Sequence, residues 1–259
     1  MRSGDAGGLT SRRLQDQVAI ITGAAGGQGR VVAQRFLEEG ARVVMTDREA
    51  GGLEEVHQSL RRFGTRASIM VADVCEELEI AQVVQTALAT YGQVDTLYNN
   101  AGVYTPGRDG PTLGVSADDW DYVMRVNLRG AFLFSREALP SMRARKSGLV
   151  MNVASWAGIS GDATCHAYAA SKAGLIALTR SLAQAYGPEG IRAVTIVPGY
   201  VTTSMSMTKH EIWSERAEAS SLRRLCTPDD VAKLAVFLAS DEASLITGGE
   251  YRVDGGRLF

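Results

Sequence analysis

Short runs of β-branched and apolar residues alternate along this chain with longer stretches whose apolar positions recur at helical spacing. This is the pattern of a parallel sheet joined by crossover helices. The runs predict strands over residues 18–22, 42–47, 67–72, 94–99, 148–153, 192–197 and 250–254. Each is apolar almost without interruption, which suits strands covered on both faces. Between them the helical period predicts helices over 29–39, 51–63, 76–91, 116–139, 168–186 and 228–240. The last has a legible start, with Thr227 as N-cap, Pro228 in the first turn and Asp230 three residues after the cap. Two longer irregular segments, 103–115 and 202–225, follow strand ends, where the ligand crevice of an open α/β sheet lies.

Composition narrows the class. Of 259 residues, 45% are hydrophobic and 22% charged, with a formal net charge of −2. That balance fills one globular core. Without a Lys/Arg block it lacks the footprint of a partner for nucleic acid or an anionic membrane. Residues 1–15 have no apolar centre, so they read as a flexible leader and neither as a secretion signal nor as a membrane span, with one domain over 16–259. Cys75, Cys165 and Cys226 stand far apart without metal-ligand spacing, the usage of reduced thiols in a cytoplasmic protein with no metal site.

The candidate chemistry begins at Thr22-Gly23-Ala24-Ala25-Gly26-Gly27-Gln28-Gly29, which follows the first strand and opens a helix. Glycines there permit a tight turn, close backbone approach to a pyrophosphate and close helix–sheet packing, while the helix N-terminus offers N–H donors. The fold class is therefore α/β: a Rossmann-type doubly wound parallel sheet of about seven strands with helices on both faces. Asp47 ends the second strand, where a carboxylate accepts hydrogen bonds from adenosine ribose hydroxyls and repels a 2′-phosphate, favouring NAD over NADP. Arg48 beside it is either a softening of that discrimination or a solvated loop residue.

Tyr168 and Lys172 lie one helical turn apart and project on one face, so an ammonium beside a phenol favours the phenolate. Ser155, after the 148–153 strand, can hold a substrate oxygen. Taken singly, each of these residues is equally an ordinary helix-face or loop residue. His166 is read as a loop residue and not as a base.

Taken in order, Thr22–Gly29, Asp73-Val74, Asn99-Asn100-Ala101-Gly102, Asn127, Ser155, Tyr168 to Lys172, Pro198-Gly199 and Val253 to Gly256 resemble the short-chain dehydrogenase/reductase family, in its single-domain branch of about 250 residues. The resemblance runs from about Gln17 to Gly256. It implies that Asn127, Ser155, Tyr168 and Lys172 form the catalytic set, with Asn127 ordering a water that relays the proton from Lys172. It further implies that Gly23, Gly27, Gln28, Gly29, Asp47, Arg48, Asp73 and Val74 bind the adenosine and phosphate side of the cofactor. Asn100, Ala101 and Gly102 would close its middle, and Pro198, Gly199, Val201 and Thr203, with Tyr168 and Lys172, would hold the nicotinamide side. Gln28 departs from the family's usual aliphatic residue.

The 202–225 segment, with Met205, Met207, Ile212 and Trp213, reads as either a substrate lid or plain helix core, and Trp156 and Tyr200 join Ser155, Met205 and Trp213 as candidate substrate contacts. The expected function is NAD-dependent interconversion of a secondary alcohol and a ketone. A 3-oxoacyl-carrier-protein reductase using NADPH is the alternative enzyme, and a non-catalytic nicotinamide-sensing protein the alternative of another class. The resemblance also implies a homotetramer.

Overall fold

Every residue of Val18–Thr22 (β1) is buried, because successive side chains serve two different cores, Ile20 facing one layer of helices and Ile21 the other. We describe residues 12–203 and 210–256 of a computed structural model of the protein. From β1 the chain runs through α1 (Gly27–Glu38), β2 (Arg42–Asp47), α2 (Ala50–Ser59), β3 (Ala67–Val71), α3 (Glu77–Tyr91) and β4 (Thr96–Asn99). It continues through α4 (Ala117–Met124), α5 (Gly130–Arg145), β5 (Gly148–Val153), α6 (Ala157–Ser160), α7 (His166–Tyr186) and β6 (Ile191–Pro198). Then follow α8 (His210–Glu218), α9 (Pro228–Ala239) and β7 (Glu250–Val253).

The strands form a 7-stranded sheet in the order β3-β2-β1-β4-β5-β6-β7, with every pair parallel. The winding reverses between β1 and β4, and the carboxyl ends of these strands open the crevice that such a switch point creates. One domain with the doubly wound architecture expected from the sequence results.

Phe36, Leu53 and Val231 pack on Val43, Met45 and Ile196 on one face, while Val83, Phe134 and Met142 pack on Val44, Leu97 and Val150 on the other. Fully burying side chains of this size stabilises the fold by roughly 1.5–3 kcal/mol each, so the sheet is held rigid beneath the crevice. α9 begins as predicted: the Thr227 hydroxyl accepts from the Asp230 N–H at 3.2 Å, and the Asp230 carboxylate accepts from the Thr227 N–H at 2.9 Å. No described helix is long and apolar enough to cross a membrane.

Three stretches differ from the sequence pattern by more than a residue or two at their ends. The helix expected over 116–139 is α4, a widened π turn over Arg125–Arg129, and α5, which passes through Pro140 to Arg145. Proline removes one backbone donor, but Leu139 and Met142 around it are buried, and that packing sustains the helix. The helix expected over 51–63 ends at Ser59, and a tight turn with Gly64 at φ 58° leads into β3. Leu14 has no exposed surface and Arg13 pairs with Glu39 at 2.7 Å, so the end of the stretch read as a leader packs on the domain. A single apolar residue among polar ones leaves no periodic signal. The short α6 and the polar α8 lack that signal as well.

Candidate active site

The loops that leave β1 and β4 are laced together at the switch point. The Thr22 hydroxyl accepts from the backbone N–H of both Asn100 and Ala101 at 3.0 Å. The Asn100 amide donates to the carbonyls of Thr22 and Gly23 at 3.0 and 3.1 Å. Gln28 donates to the Asn100 side-chain oxygen at 3.0 Å, so this departure from the family pattern reinforces the same junction. Gly23 has φ 65°, and a Cβ on it would meet Ala101 Cα at 2.8 Å. A Cβ on Gly29 would meet the Gly23 carbonyl at 2.3 Å, so Gly29 serves helix–sheet packing and lies beneath the crevice instead of lining it.

A cleft of about 1060 Å³ extends from this junction across the carboxyl ends of the strands. Gly23, Gly27, Gln28, Asp47 and Arg48 line one end, and Asp73 and Val74 one side. Asn100, Ala101 and Gly102 form the floor, and Pro198, Gly199, Val201 and Thr203 the opposite wall. Thr203 reaches over the glycine turn, its side chain 3.3 Å from where a Gly27 Cβ would stand. The Asp47 carboxylate accepts from the backbone N–H of Ala25 at 3.0 Å and of Glu49 at 3.1 Å, which ties the β2 end to the glycine turn. Arg48 donates to the hydroxyl of Tyr122, another residue of the cleft lining, at 3.3 Å.

These features fit a dinucleotide. α1 is preceded by Gly26 at its cap, with no side-chain cap and no acidic residue in its first turn, so no side chain of the helix itself neutralises its positive end. The cleft is at the upper end of small-ligand pocket sizes, about 300–1000 Å³, and has room for a cofactor and a substrate together.

The far end of the cleft holds the reactive groups. Tyr168 stands two residues into α7, partly accessible from the cleft, and Lys172 is buried one turn later. Lys172 Nζ donates to the Val153 carbonyl at 2.9 Å and lies 5.7 Å from the centre of the Tyr168 ring. Burial lowers the ammonium pKa to about 8. Burial raises the Tyr168 phenol, and the hydrogen bond with the Ser155 hydroxyl opposes that rise. Burial thus acts on the phenol against any cation beside it, and the hydrogen bond of Lys172 goes to Val153 and not to the phenol.

Asn127, carried by the π turn, is buried behind the cleft. Its side-chain oxygen accepts from the Val103 N–H at 2.7 Å, and its amide donates to the Val103 carbonyl at 3.0 Å and to Ser171 Oγ at 3.1 Å. The position a Cβ would take on Gly102 is 3.3 Å from both Asn127 Oδ1 and Lys172 Nζ. The glycine therefore keeps clear the space these two groups share.

The substrate wall contains Trp156, with Arg252 over its ring at 5.3 Å, and Tyr200, with Arg216 over its ring at 4.0 Å. Trp213 does not line the cleft; Arg216, three residues further along α8, does. Met205 and Met207 lie outside the described residues. Sequence reasoning missed Tyr104, whose ring meets that of Tyr168 edge-on at 5.1 Å. It also missed Asp109, a buried carboxylate bonded to the first turn of α7. The Asp109-Gly110-Pro111 turn was visible in the sequence, but nothing local told which helix it would meet. His166 accepts from the Thr112 N–H at 3.0 Å and pins the same loop.

A seven-stranded nucleotide-type sheet with Ser, Tyr and Lys side chains converging at one end of its crevice defines an oxidoreductase of the single-domain dehydrogenase class. Residues 23–257 match a family model described as enoyl-(acyl carrier protein) reductase. The chain is 38% identical over 242 residues to cis-4-hydroxycyclohexanecarboxylate dehydrogenase of Sinomonas cyclohexanicum, covering 93% of this chain and 96% of that one. It is 34% identical over 252 residues to 3-oxoacyl-(acyl-carrier-protein) reductase of Thermotoga maritima, covering 95% and 100%. The crystal structure of gox2181 superposes with a TM-score of 0.89 at 31% identity, covering 95% of this chain and 96% of that one. The chain belongs to the short-chain dehydrogenase/reductase family.

Proposed function

We propose that this chain is an NAD-dependent oxidoreductase interconverting a secondary alcohol and a ketone, with Tyr168 as general acid and base. One observation carries the reading: the Tyr168 phenol is hydrogen-bonded by Ser155 and backed by Lys172, at the end of a cleft that starts from the glycine turn. The nicotinamide, when bound, supplies the acceptor or donor of hydride. Ser155 holds the substrate oxygen and steadies the charge that develops on it. Tyr168 takes the hydroxyl proton in oxidation and returns it in reduction. Lys172, its charge close to the ring, favours the ionised phenol and works against the effect of burial, as an oxidised nicotinamide would when bound. Asn127 and Lys172 flank the space beside Gly102, through which the proton passes onward to solvent.

Asp47 supports NAD, because its carboxylate faces the cleft where a 2′-phosphate would stand and Arg48 is turned to Tyr122. Gly23, Gly27, Gln28, Asp73 and Val74 would hold the adenosine and phosphates, and Val201 and Thr203 the carboxamide. Arg216 of α8 lines the substrate side, which supports reading α8 as part of a lid. The 3-oxoacyl-carrier-protein reductase reading has support in the Thermotoga relative's name. It also calls for a basic docking patch, yet Arg129 and Arg136 are both paired with Glu77. A homotetramer would use α5, α7 and β7; Ala173 and Ala177 are exposed on α7 for such packing. Light scattering giving a monomer mass would contradict it.

The direct test is Tyr168→Phe, assayed on a panel of secondary alcohols and ketones by NADH and NADPH absorbance. Turnover falls to near zero while NADH binding persists. Full activity in that variant overturns the assignment, and the wild-type cofactor ratio decides NAD against NADP.

A further inference from the structure

Arg216 lines the cleft from α8, and its guanidinium stacks over the Tyr200 ring at 4.0 Å. It forms no ion pair with a described carboxylate, whereas Arg223 and Arg224, a few residues on, pair with Glu218 and Asp230. Stacking uses the face of a guanidinium and leaves its N–H groups free at the edge, a fork suited to an oxyanion.

Two acids share this end of the cleft or border it. Asp162 Oδ1 accepts from the N–H and hydroxyl of Thr164 at 2.8 and 2.7 Å and from the Cys165 N–H at 3.1 Å, so it is engaged in the turn before α7. Asp254, on the opposite side of Arg216, accepts from the Gly256 N–H at 2.9 Å. Neither approaches Arg216 as an ion pair.

The cation is also near the chemistry. Tyr104, whose ring meets that of Tyr168 at 5.1 Å, has a phenol raised by burial to about 12, with the Arg216 charge acting against that rise. Tyr168, Tyr104, Arg216 and Tyr200 thus follow one another along the substrate wall.

We propose that the substrate carries a carboxylate or similar oxyanion remote from its reacting hydroxyl, received by Arg216 against the Tyr200 ring. This rests on the oxidoreductase reading only for where the hydroxyl sits. Trp156 and Tyr104 add two aromatic side chains to the wall between these ends, so the body of the substrate is apolar, a compact ring or short chain.

The test uses ligands that cannot react. Binding of cyclohexanecarboxylate and of cyclohexanecarboxamide is measured by calorimetry on the full chain saturated with NADH or NADPH, whichever binds tighter. The wild type is expected to hold the acid about tenfold or more above the amide, as a charge-assisted bond to a guanidinium implies. Arg216→Gln abolishes that preference, and Arg216→Lys keeps part of it, retaining the charge without the fork. Cofactor titration of each variant reports folding. The proposal is overturned if acid and amide bind alike, if neither binds, or if Arg216→Gln weakens both equally. A loss of cofactor affinity with the acid preference intact overturns it too, since Arg216 would then serve the cofactor phosphates. Turnover is read separately: acid binding without activity on any alcohol or ketone sinks the oxidoreductase reading and leaves the oxyanion site standing.

Discussion

The carboxylate of Asp109 accepts the backbone N–H of Tyr168 at 2.8 Å, from a position 59 residues earlier in the chain, and that of Ala167 at 3.1 Å. It caps α7 from outside, since Cys165 at the helix start gives no side-chain cap. The first turn of α7, and with it the phenol, is therefore placed by the loop over the substrate side of the cleft. Removing such a cap costs about 1 kcal/mol or more, and small displacements of a reacting group reduce rate by as much as roughly a hundredfold. Asp109→Ala is expected to lower kcat by about tenfold to a hundredfold, with Asp109→Asn recovering part. Steady-state kinetics beside a far-ultraviolet dichroism spectrum check this, and wild-type kcat in a folded alanine variant would refute it.

Lys172 carries a stability cost that depends on pH. Its ammonium titrates at about 8 in the fold against an ordinary 10.5. Between those values the unfolded chain binds the extra proton, so wild-type stability rises with pH through that window and the cost is fully present below pH 8. Two to three pH units correspond to about 3 kcal/mol, from which the lost bond to Val153 takes about 1 kcal/mol. Lys172→Met should unfold at higher urea than wild type at pH 7, by on the order of 2 kcal/mol, and be inactive. Urea titrations at pH 7, 9 and 10.5 should show that advantage shrinking. A difference independent of pH contradicts the assignment of the cost to the buried charge.

Much of the fold was legible because its signals are local. β1, β2 and β5 fall where the apolar runs end, at Val18–Thr22, Arg42–Asp47 and Gly148–Val153. Asp47, Ser155 and the Tyr168–Lys172 pair could be picked out because a strand end and a helical turn fix which way such residues point. Asp109, Tyr104 and Arg216 could not, since their roles depend on where irregular segments cross the sheet. The raised phenol of Tyr168 was hidden for the same reason: desolvation is a property of everything packed around a group, and spacing reports only its chain neighbours.

Asp47 should govern cofactor choice. Replacing it with Ser removes the charge facing the cleft, and the kcat/KM ratio of NADPH to NADH is expected to rise by at least about tenfold, the scale of one charge-assisted contact. The carboxylate also accepts from Ala25, so activity with NADH falls as well. An unchanged ratio would show that discrimination resides elsewhere.

The reciprocal cap at Thr227 and Asp230 lies away from the chemistry, and the Arg224 guanidinium holds the Asp230 carboxyl far below its usual range. Thr227→Ala is expected to reduce stability by about 1 kcal/mol, seen as a lower Tm, with kcat unaltered. A loss of kcat without a change in Tm would link α9 to catalysis.

The π turn over Arg125–Arg129 separates two stretches of one helical rod, α4 before it and α5, rooted in the core, after it. A π turn closes i→i+5 bonds where an α-helix closes i→i+4, so this turn takes in one residue more than a regular helix would while α4 and α5 stay in step. Deleting that residue would let the rod close as continuous α-helix with every apolar side chain of α4 and α5 in place, yet it would remove the widening from which Asn127 reaches Val103 and Ser171. In this rod the surplus residue makes the site, and a change that no composition or propensity scale registers would leave the protein folded while dismantling the anchorage of Asn127.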